Sequence, residues 1–423
     1  MTDVVPAAEH LGSGHAGEGG FVLLGIPDVH GSIRGKALRP AAFEAALAHG
    51  TVVTDLLLAL DPTDEPITDY ERFGIRSGAG DILVRPEPDT LRGLTWRLGW
   101  SVCLATPYWP DGSPCELASR EVLRRALAAI DYDVLAAFEY EVRIRDADDR
   151  PLSSGISYSV GEVLRFDELV AGLEPALDGL GIELAAVHTE AGPGLLELNV
   201  AARHGLQAAD DAALLKLAVK EVAASLGLRA SFLAKTVAGE EGSSGHVHLS
   251  LWRGGENMTD ALVAAVAGIL EHLPAASLLF NPTVNSYKRL VPGYFAPVNA
   301  SWGHENRSAA VRMIGNRIEC RRPGADANPY LALAALVVSA ADGLKRGLAP
   351  PPPVEGDASA RADLPPLPTS LESALRAFDE DETFRAALGA TFSDYFRVSR
   401  AWELKAWQEA VSDWERDRYE RTV

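Results

Sequence analysis

The sequence is short of cysteine, of long apolar runs and of positive charge, and each shortage removes a class of protein. Three widely spaced cysteines (Cys103, Cys115, Cys320) offer neither a disulfide framework nor a zinc site, which fits a reducing compartment. The longest strongly apolar run, "LALAALVV" from Leu331, falls well short of the ~18–20 residues that span a bilayer. Lys and Arg number 39 against 59 Asp and Glu, a formal charge of −20. That balance argues against nucleic acid or an anionic membrane as partner, because both require a positive field. The opening "MTDVVPAAEHLGSGHAGEGG" has no basic n-region and no apolar h-region, so it does not read as a signal peptide. Nor is there a Walker A pattern. The expectation is a cytoplasmic protein.

What is present is an ordinary globular composition, 47% hydrophobic and 23% charged over 423 residues, enough for two or three domains. Residues 1–20 read as a loose arm. Their literal G-x-G-x-x-G, Gly12 to Gly17, precedes an apolar run instead of following a strand, so it is not a dinucleotide fingerprint. Residues 21–112 hold short β-branched runs and one helical stretch, "PAAFEAALAHG", and describe a small α+β domain. "WPDGSP" at 109–114 marks a boundary. In 113–423, helices fit 118–131, 164–179, 208–226, 259–274 and 328–346. Strands fit around 134–145, 182–190, 195–202, 244–252, 308–313 and 317–322. Residues 349–368 are a Pro-rich linker or loop, and the helical tail carries Trp402, Trp407 and Trp414, read as packing residues.

Four fragments place acids or imidazoles at alternate strand positions: Glu139 and Glu141 in "AFEYEVRI", His246 and His248 in "SSGHVHLSL", Glu319 between Arg317 and Arg321 in "RIECR", and Glu190 and Glu197 across the Gly-Pro-Gly turn of "TEAGPGLLEL". Alternate residues share one face of a strand. Each pair alone also reads as a solvent-facing edge. Together, on otherwise apolar strands, they form a set that is costly to bury without cations, and carboxylates with an imidazole suit Mg²⁺ or Mn²⁺. Residues 281–322 add Lys288, Arg289, Arg307, Arg312, Arg317, Arg321 and Arg322 against only Glu305 and Glu319. Arginine forks match carboxylate and phosphate oxygens, and divalent metals beside arginines point to phosphoryl transfer.

The order "DVHGSIRGK", "EYE", "HTEAGPGLLE", "GSSGHVHLSL", "NPTVNSYKRLVPG", "NRSAAVR" and "RIECRRPGADANPYLALAAL", then a Trp/Tyr-rich helical tail, resembles the glutamine synthetase family over about Phe21 to Val423. The resemblance implies an α+β protein: a small β-grasp-like N-terminal domain, then a catalytic domain whose strands form a funnel-shaped β-barrel surrounded by helices. It implies a homo-oligomer of hexameric rings, usually stacked in pairs into a dodecamer, with sites shared between neighbours. It implies two or three Mg²⁺ or Mn²⁺ ions, with Glu141, Glu190 and Glu197 on the first and Glu139, His246 and Glu319 on the second. It places Arg289 on the α-carboxylate of glutamate and Arg321 near the γ-carboxylate, with Glu141 and Gly242 also at the substrate. Arg307 and Arg312 fall on the ATP phosphates, and His248 and Arg317 face the nucleotide.

The implied reaction is ATP-dependent: glutamate is phosphorylated to a γ-glutamyl phosphate, which an amine attacks. Ammonia-using members carry "PG-x-EAP", whose glutamate takes a proton from ammonium; here the pattern is "PGYFAP", with Phe295 in that place. A phenyl ring accepts no proton but can shape an apolar pocket or stack on an organic amine. Leu195, Glu241 and Gly324 also depart from the family pattern, and Asp61 is a candidate for the amine site from a neighbouring subunit. The expectation is a γ-glutamyl ligase for a small organic amine. A catalytically idle relative and a ligase for another carboxylic acid remain alternatives.

Overall fold

The computed structural model describes residues 20–423; the N-terminal arm and its glycine pattern lie outside the described residues. Six strands form the first sheet: β1 (Phe21–Pro27), β2 (Ile33–Leu38), β3 (Thr51–Thr54), β4 (Asp81–Pro86), β5 (Arg92–Gly93) and β6 (Trp100–Tyr108). Their order is β2-β1-β6-β4-β3, with β5 beside β6; β1 and β6 run parallel and the other pairs antiparallel. Helix α1 (Pro40–His49) packs Phe43 onto the sheet against Val22, Leu24, Ile26, Val84 and Cys103. Gly50, at φ 75°, ends it by a turn that a Cβ would crowd against Leu83 and the Val84 carbonyl.

A tight turn, closed by Trp109 N–H donating to the Ser113 carbonyl at 2.9 Å, leads to α2 (Ser119–Ala129) and the second sheet. Its main path is β14-β15-β16-β12-β7-β9-β8. The members are β7 (Asp133–Arg145), β8 (Leu184–Thr189), β9 (Leu195–Val200), β12 (Gly245–Arg253), β14 (Trp302–His304), β15 (Val311–Ile314) and β16 (Arg317–Cys320). Short strands β10 (Arg203–His204) and β11 (Arg229–Ser231) pair with β7, and β13 (Glu256–Asn257) with β12. Among the described residues β8 and β14 are free edges of this path, so one chain forms an open sheet and not a closed barrel.

Alternation along β7 positions the site. Val134, Ala136, Phe138, Tyr140, Val142 and Ile144 are buried in the core; Glu139, Glu141 and Arg143, one residue out of phase, take the opposite face. The core side is covered by α3 (Asp167–Leu180), α4 (Gly205–Ser225), α5 (Ala261–Phe280) and α6 (Pro329–Arg346). Helix α5 is longer than the run flagged in the sequence and is apolar enough, by length and composition, to cross a membrane, yet most of it is buried within the protein. It crosses α6 at two glycines: a Cβ on Gly268 would sit 2.2 Å from the Ser339 carbonyl, and one on Gly343 2.2 Å from that of Ala264.

The tail forms α7 (Leu371–Glu380), α8 (Glu382–Leu388), α9 (Ala390–Glu409) and α10 (Asp413–Tyr419). It joins the two sheets, since Tyr395 Oη donates to the Leu58 carbonyl at 2.8 Å and Tyr70 Oη to that of Tyr395 at 2.8 Å. The Pro-rich 349–368 is a surface loop, tied down where Trp302 Nε1 donates to the Pro351 carbonyl at 2.6 Å and Asn299 Nδ2 to that of Ala358 at 2.7 Å. One expectation needs correction here. Of the three tail tryptophans only Trp402 packs; Trp407 and Trp414 are exposed.

Candidate active site

Antiparallel register assembles the site across six strands. Glu139 lies opposite His246, Glu141 opposite Glu197, and Glu197 opposite His188. His248 lies opposite Glu319, which faces Arg312 on its other side. Two donor groups result, each with ligand atoms within 4.8 Å of one another: Glu139, His248 and Glu319, and His188, Glu190 and Glu197. In the first, His248 Nε2 is 2.8 Å from Glu139 Oε1, and His246 Nδ1 is 3.4 Å from Glu319 Oε1 and 3.7 Å from Glu139 Oε2. Both imidazoles therefore converge on Glu139. His246 thus stands with Glu139 and Glu319 as expected, and His248, expected at the nucleotide, joins the same carboxylates.

The second group adds a residue to the sequence reading. Glu190 and Glu197 do meet across the Gly-Pro-Gly turn, but His188 Nε2 stands between them, 2.9 Å from Glu190 Oε1 and 3.4 Å from Glu197 Oε1. Sequence reasoning missed His188, although "HTE" carries the same alternate spacing that revealed the other pairs. Glu141 instead accepts a hydrogen bond from Ser244 N–H at 2.7 Å.

The electrostatics of the set call for a cation. Burial, then the neighbouring charges of Glu139 and Glu141, push the Glu197 carboxyl up to about 8. Burial also works against ionised Glu139, but the imidazoles of His246 and His248 beside it outweigh burial and hold its carboxyl far below the usual range. His246 Nε2 is buried without a hydrogen-bond partner among the described residues. Crowded carboxylates, an orphaned imidazole nitrogen and an oxygen-rich donor set fit divalent cations of the Mg²⁺ or Mn²⁺ kind.

The arginines surround Glu319. Arg312 Nη1 is 3.1 Å from Glu319 Oε2, its Nη2 is 2.7 Å from Glu305 Oε2, and Arg321 Nη1 pairs with Glu319 Oε1. The Nε atoms of Arg312 and Arg321 are buried without a hydrogen-bond partner among the described residues, which leaves N–H groups available for an anion. Arg317 is exposed and donates Nε–H to His248 Nδ1 at 3.3 Å; Arg307 is exposed.

Arg289, expected on the α-carboxylate of glutamate, lies beneath the site surface in this chain. It is 2% exposed, and its guanidinium donates to the Arg321 and Arg322 carbonyls at 3.1 Å each and twice to Ser244 Oγ. Four of its five N–H groups are thus committed to the fold. Gly242 packs on its stem, where a Cβ would come within 2.6 Å of Arg289 Cγ. Asp61, the candidate from a neighbour, is buried in its own subunit as a turn cap that accepts from Thr63 and Glu65 N–H.

Phe295 is 65% exposed and left-handed, at φ 52°. It stands on a cavity of about 710 Å³ whose walls include Glu305, Arg307, Glu355 and Asp357. The same walls carry Ala296, Pro353 and Val354, so within one chain the ring borders a groove of mixed apolar and charged lining.

Residues 116–419 match the family model for the catalytic domain of glutamine synthetase. The chain is 35% identical to the gamma-glutamylethanolamide synthetase of Streptomyces coelicolor, covering 95% of this chain and 92% of that one. It is 32% identical to the glutamate–isopropylamine ligase of a Pseudomonas species, with 94% of each covered, and 32% identical to the glutamine synthetase of Thermus thermophilus, with 94% and 95% covered. The solved structures of apo GmaS and of a GmaS–ADP complex superpose with a TM-score of 0.87 each, at 26% and 27% identity, over 100% and 99% of this chain and the whole of theirs. The carboxylate–imidazole strands and the arginine rim are therefore those of a chain that belongs to the glutamine synthetase family and is an ATP-dependent carboxylate–amine ligase.

Proposed function

We propose that this chain joins the side-chain carboxylate of glutamate to a small organic amine and disfavours ammonia. Overall similarity does not choose the acceptor, because relatives named for ethanolamide, isopropylamine and glutamine synthesis match at 32–35% identity. The observation that carries the choice is Phe295, in the place of the glutamate that deprotonates ammonium in ammonia-using members. A non-glycine residue at φ 52° with an exposed ring contributes strain without packing, and such strain concentrates where a backbone segment serves binding or catalysis.

The reaction moves the γ-phosphoryl group of ATP to the acid, breaking the terminal P–O bond and releasing ADP. The amine nitrogen then forms a C–N bond to the acyl carbon as phosphate departs with the nitrogen's proton. Glu139, Glu141, Glu190, Glu197, Glu319, His188, His246 and His248 are the donors for divalent cations, which neutralise phosphate charge when bound. Arg307, Arg312 and Arg321 face the charge that builds on the moving phosphoryl group. A weakly basic amine that arrives neutral needs no carboxylate base at position 295, whereas a polyamine calls for acids around its ammonium groups. We further propose a unit 21–112 preceding a catalytic unit 113–423, and assembly into hexameric rings, stacked as a dodecamer.

The test is phosphate release and product mass with ATP, Mg²⁺ and glutamate against ammonia, ethanolamine, isopropylamine, putrescine, spermine and aniline-like amines, with Phe295→Glu in parallel. One organic amine should yield both phosphate and a γ-glutamyl amide, while Phe295→Glu gains ammonia use. Ammonia as the best acceptor of the unsubstituted protein would overturn the account of Phe295. No turnover with any amine would favour an idle relative or a different acid.

A further inference from the structure

Arg143 takes no part in the expected site, yet it lies on the same face of β7 as Glu141, two residues further on, with Leu195 opposite on β9 and Ser231 opposite on β11. Its side chain is 1% exposed. Nη1 donates to the Pro193 carbonyl and to Glu240 Oε2 at 2.7 Å, and Nη2 to the Glu241 carbonyl at 2.9 Å. One guanidinium thus holds two segments. The first is the Gly192–Gly194 turn between Glu190 and Glu197. The second is the Glu240–Gly242 loop, which runs on through Ser244, the donor to Glu141 and the acceptor from Arg289.

A third segment is linked through the second. Lys235 Nζ donates to the Glu240 carbonyl and lies 5.3 Å from the ring centroid of Tyr294, the residue before Phe295. The spacing is tight on the turn side as well, since a Cβ on Gly192 would fall 3.1 Å from Arg143 Nη2. Stability alone is a poor reason for this residue. Its Nε is buried without a hydrogen-bond partner among the described residues, and an apolar side chain of similar volume often serves a buried position as well or better than a buried ion.

We propose that Arg143 is a positioning residue for the ligase reaction. It sets the distance between the turn that carries Glu190 and Glu197 and the loop that shapes the acid site, and through Glu240 and Lys235 it fixes where Tyr294 and Phe295 rest. The kinetic part of this proposal rests on the ligase reading; the structural part does not.

The experiment compares the full-length protein with Arg143→Leu, Arg143→Lys and Glu240→Gln. Amide hydrogen exchange is followed at 192–195, 237–243 and 291–297, beside KM for ATP, acid and amine. Arg143→Leu should remain folded and raise exchange in all three segments about tenfold, with β12 and β16 unchanged. KM for the acid should rise about tenfold while that for ATP stays within about twofold, the signature of displaced binding groups and not of general loss. Glu240→Gln should loosen the second and third segments but not the turn, and Arg143→Lys should restore part of the loss. Unchanged exchange at 237–243 and 291–297 in Arg143→Leu overturns the proposal, as does a parallel rise in all three KM values. If the unsubstituted protein forms no amide, the ligase reading fails, and the exchange measurements still decide whether Arg143 ties the three segments.

Discussion

Phe295 and Arg289 stand six residues apart in one loop and do opposite kinds of work. Arg289 is sunk beneath the site, its hydrogen bonds joining Ser244 to the strand end at Arg321 and Arg322. Phe295 holds a left-handed backbone and an exposed ring. A left-handed conformation costs an L-residue about 1–2 kcal/mol that glycine escapes. If the ring serves the acceptor and not the fold, Phe295→Gly should leave unfolding stability unchanged or raise it by up to about 1 kcal/mol, while KM for the preferred organic amine rises several-fold. Denaturant unfolding beside steady-state kinetics checks this. A variant that loses stability and keeps its amine KM would show the ring to be a packing residue instead.

At the scale of elements, His272 joins three helices. From α5, its Nδ1 lies 2.7 Å from Asp381 Oδ2 at the start of α8, and its Nε2 3.1 Å from Asp342 Oδ2 on α6; the ring stacks on Phe384. Glu271 and Asp342 also share Arg346, so this cluster is an ion-pair network more than a cation site. Burial lowers the His272 pKa, but the hydrogen bonds to Asp381 and Asp342 outweigh it and raise it above the ordinary 6.5. With a raised folded value, the stabilisation is complete below about 6.5 and fades as pH climbs through the folded pKa. The unsubstituted protein should lose about 1–3 kcal/mol more than His272→Gln between pH 6 and pH 9, the weight of a hydrogen bond to a charged group. Equal losses in urea unfolding would remove His272 from the pH dependence.

Strands with alternating chemistry were the legible part of the sequence, because a period of two survives in any sheet. Glu139, Glu141, His246, His248 and Glu319 all fell on the face expected. Arg143 continued the same alternation in "FEYEVR" and His188 in "HTE"; only the focus on acids hid them. Which histidine meets which carboxylate was not legible, since it depends on the register between β7, β12 and β16. Nor was the burial of Arg289, whose partners are backbone carbonyls 32 and 33 residues away and the Ser244 hydroxyl.

For the molecule as a whole, the segment between β7 and α3 poses the remaining problem. Ile156, Tyr158, Val160 and Leu164 are exposed there, and Tyr158 stacks on His188 with ring centroids 4.4 Å apart. Exposed apolar side chains gathered in one segment mark an interaction surface, and this one adjoins the carboxylates of the site. Sites shared between neighbouring subunits, as the family resemblance implies, would place a second copy of the chain over it. The particle mass should then be a multiple of 45.1 kDa, six- or twelvefold for rings. Val160→Asp combined with Leu164→Asp should shift the population to smaller species, because a carboxylate has to be desolvated to enter an apolar interface. Activity should fall with assembly while far-ultraviolet circular dichroism stays unchanged. Mass photometry across a dilution series reads both effects. A protein that is monomeric at micromolar concentration yet active would mean that each chain completes its own site. Intact rings in the double variant would move the interface elsewhere and leave the apolar segment to the amine.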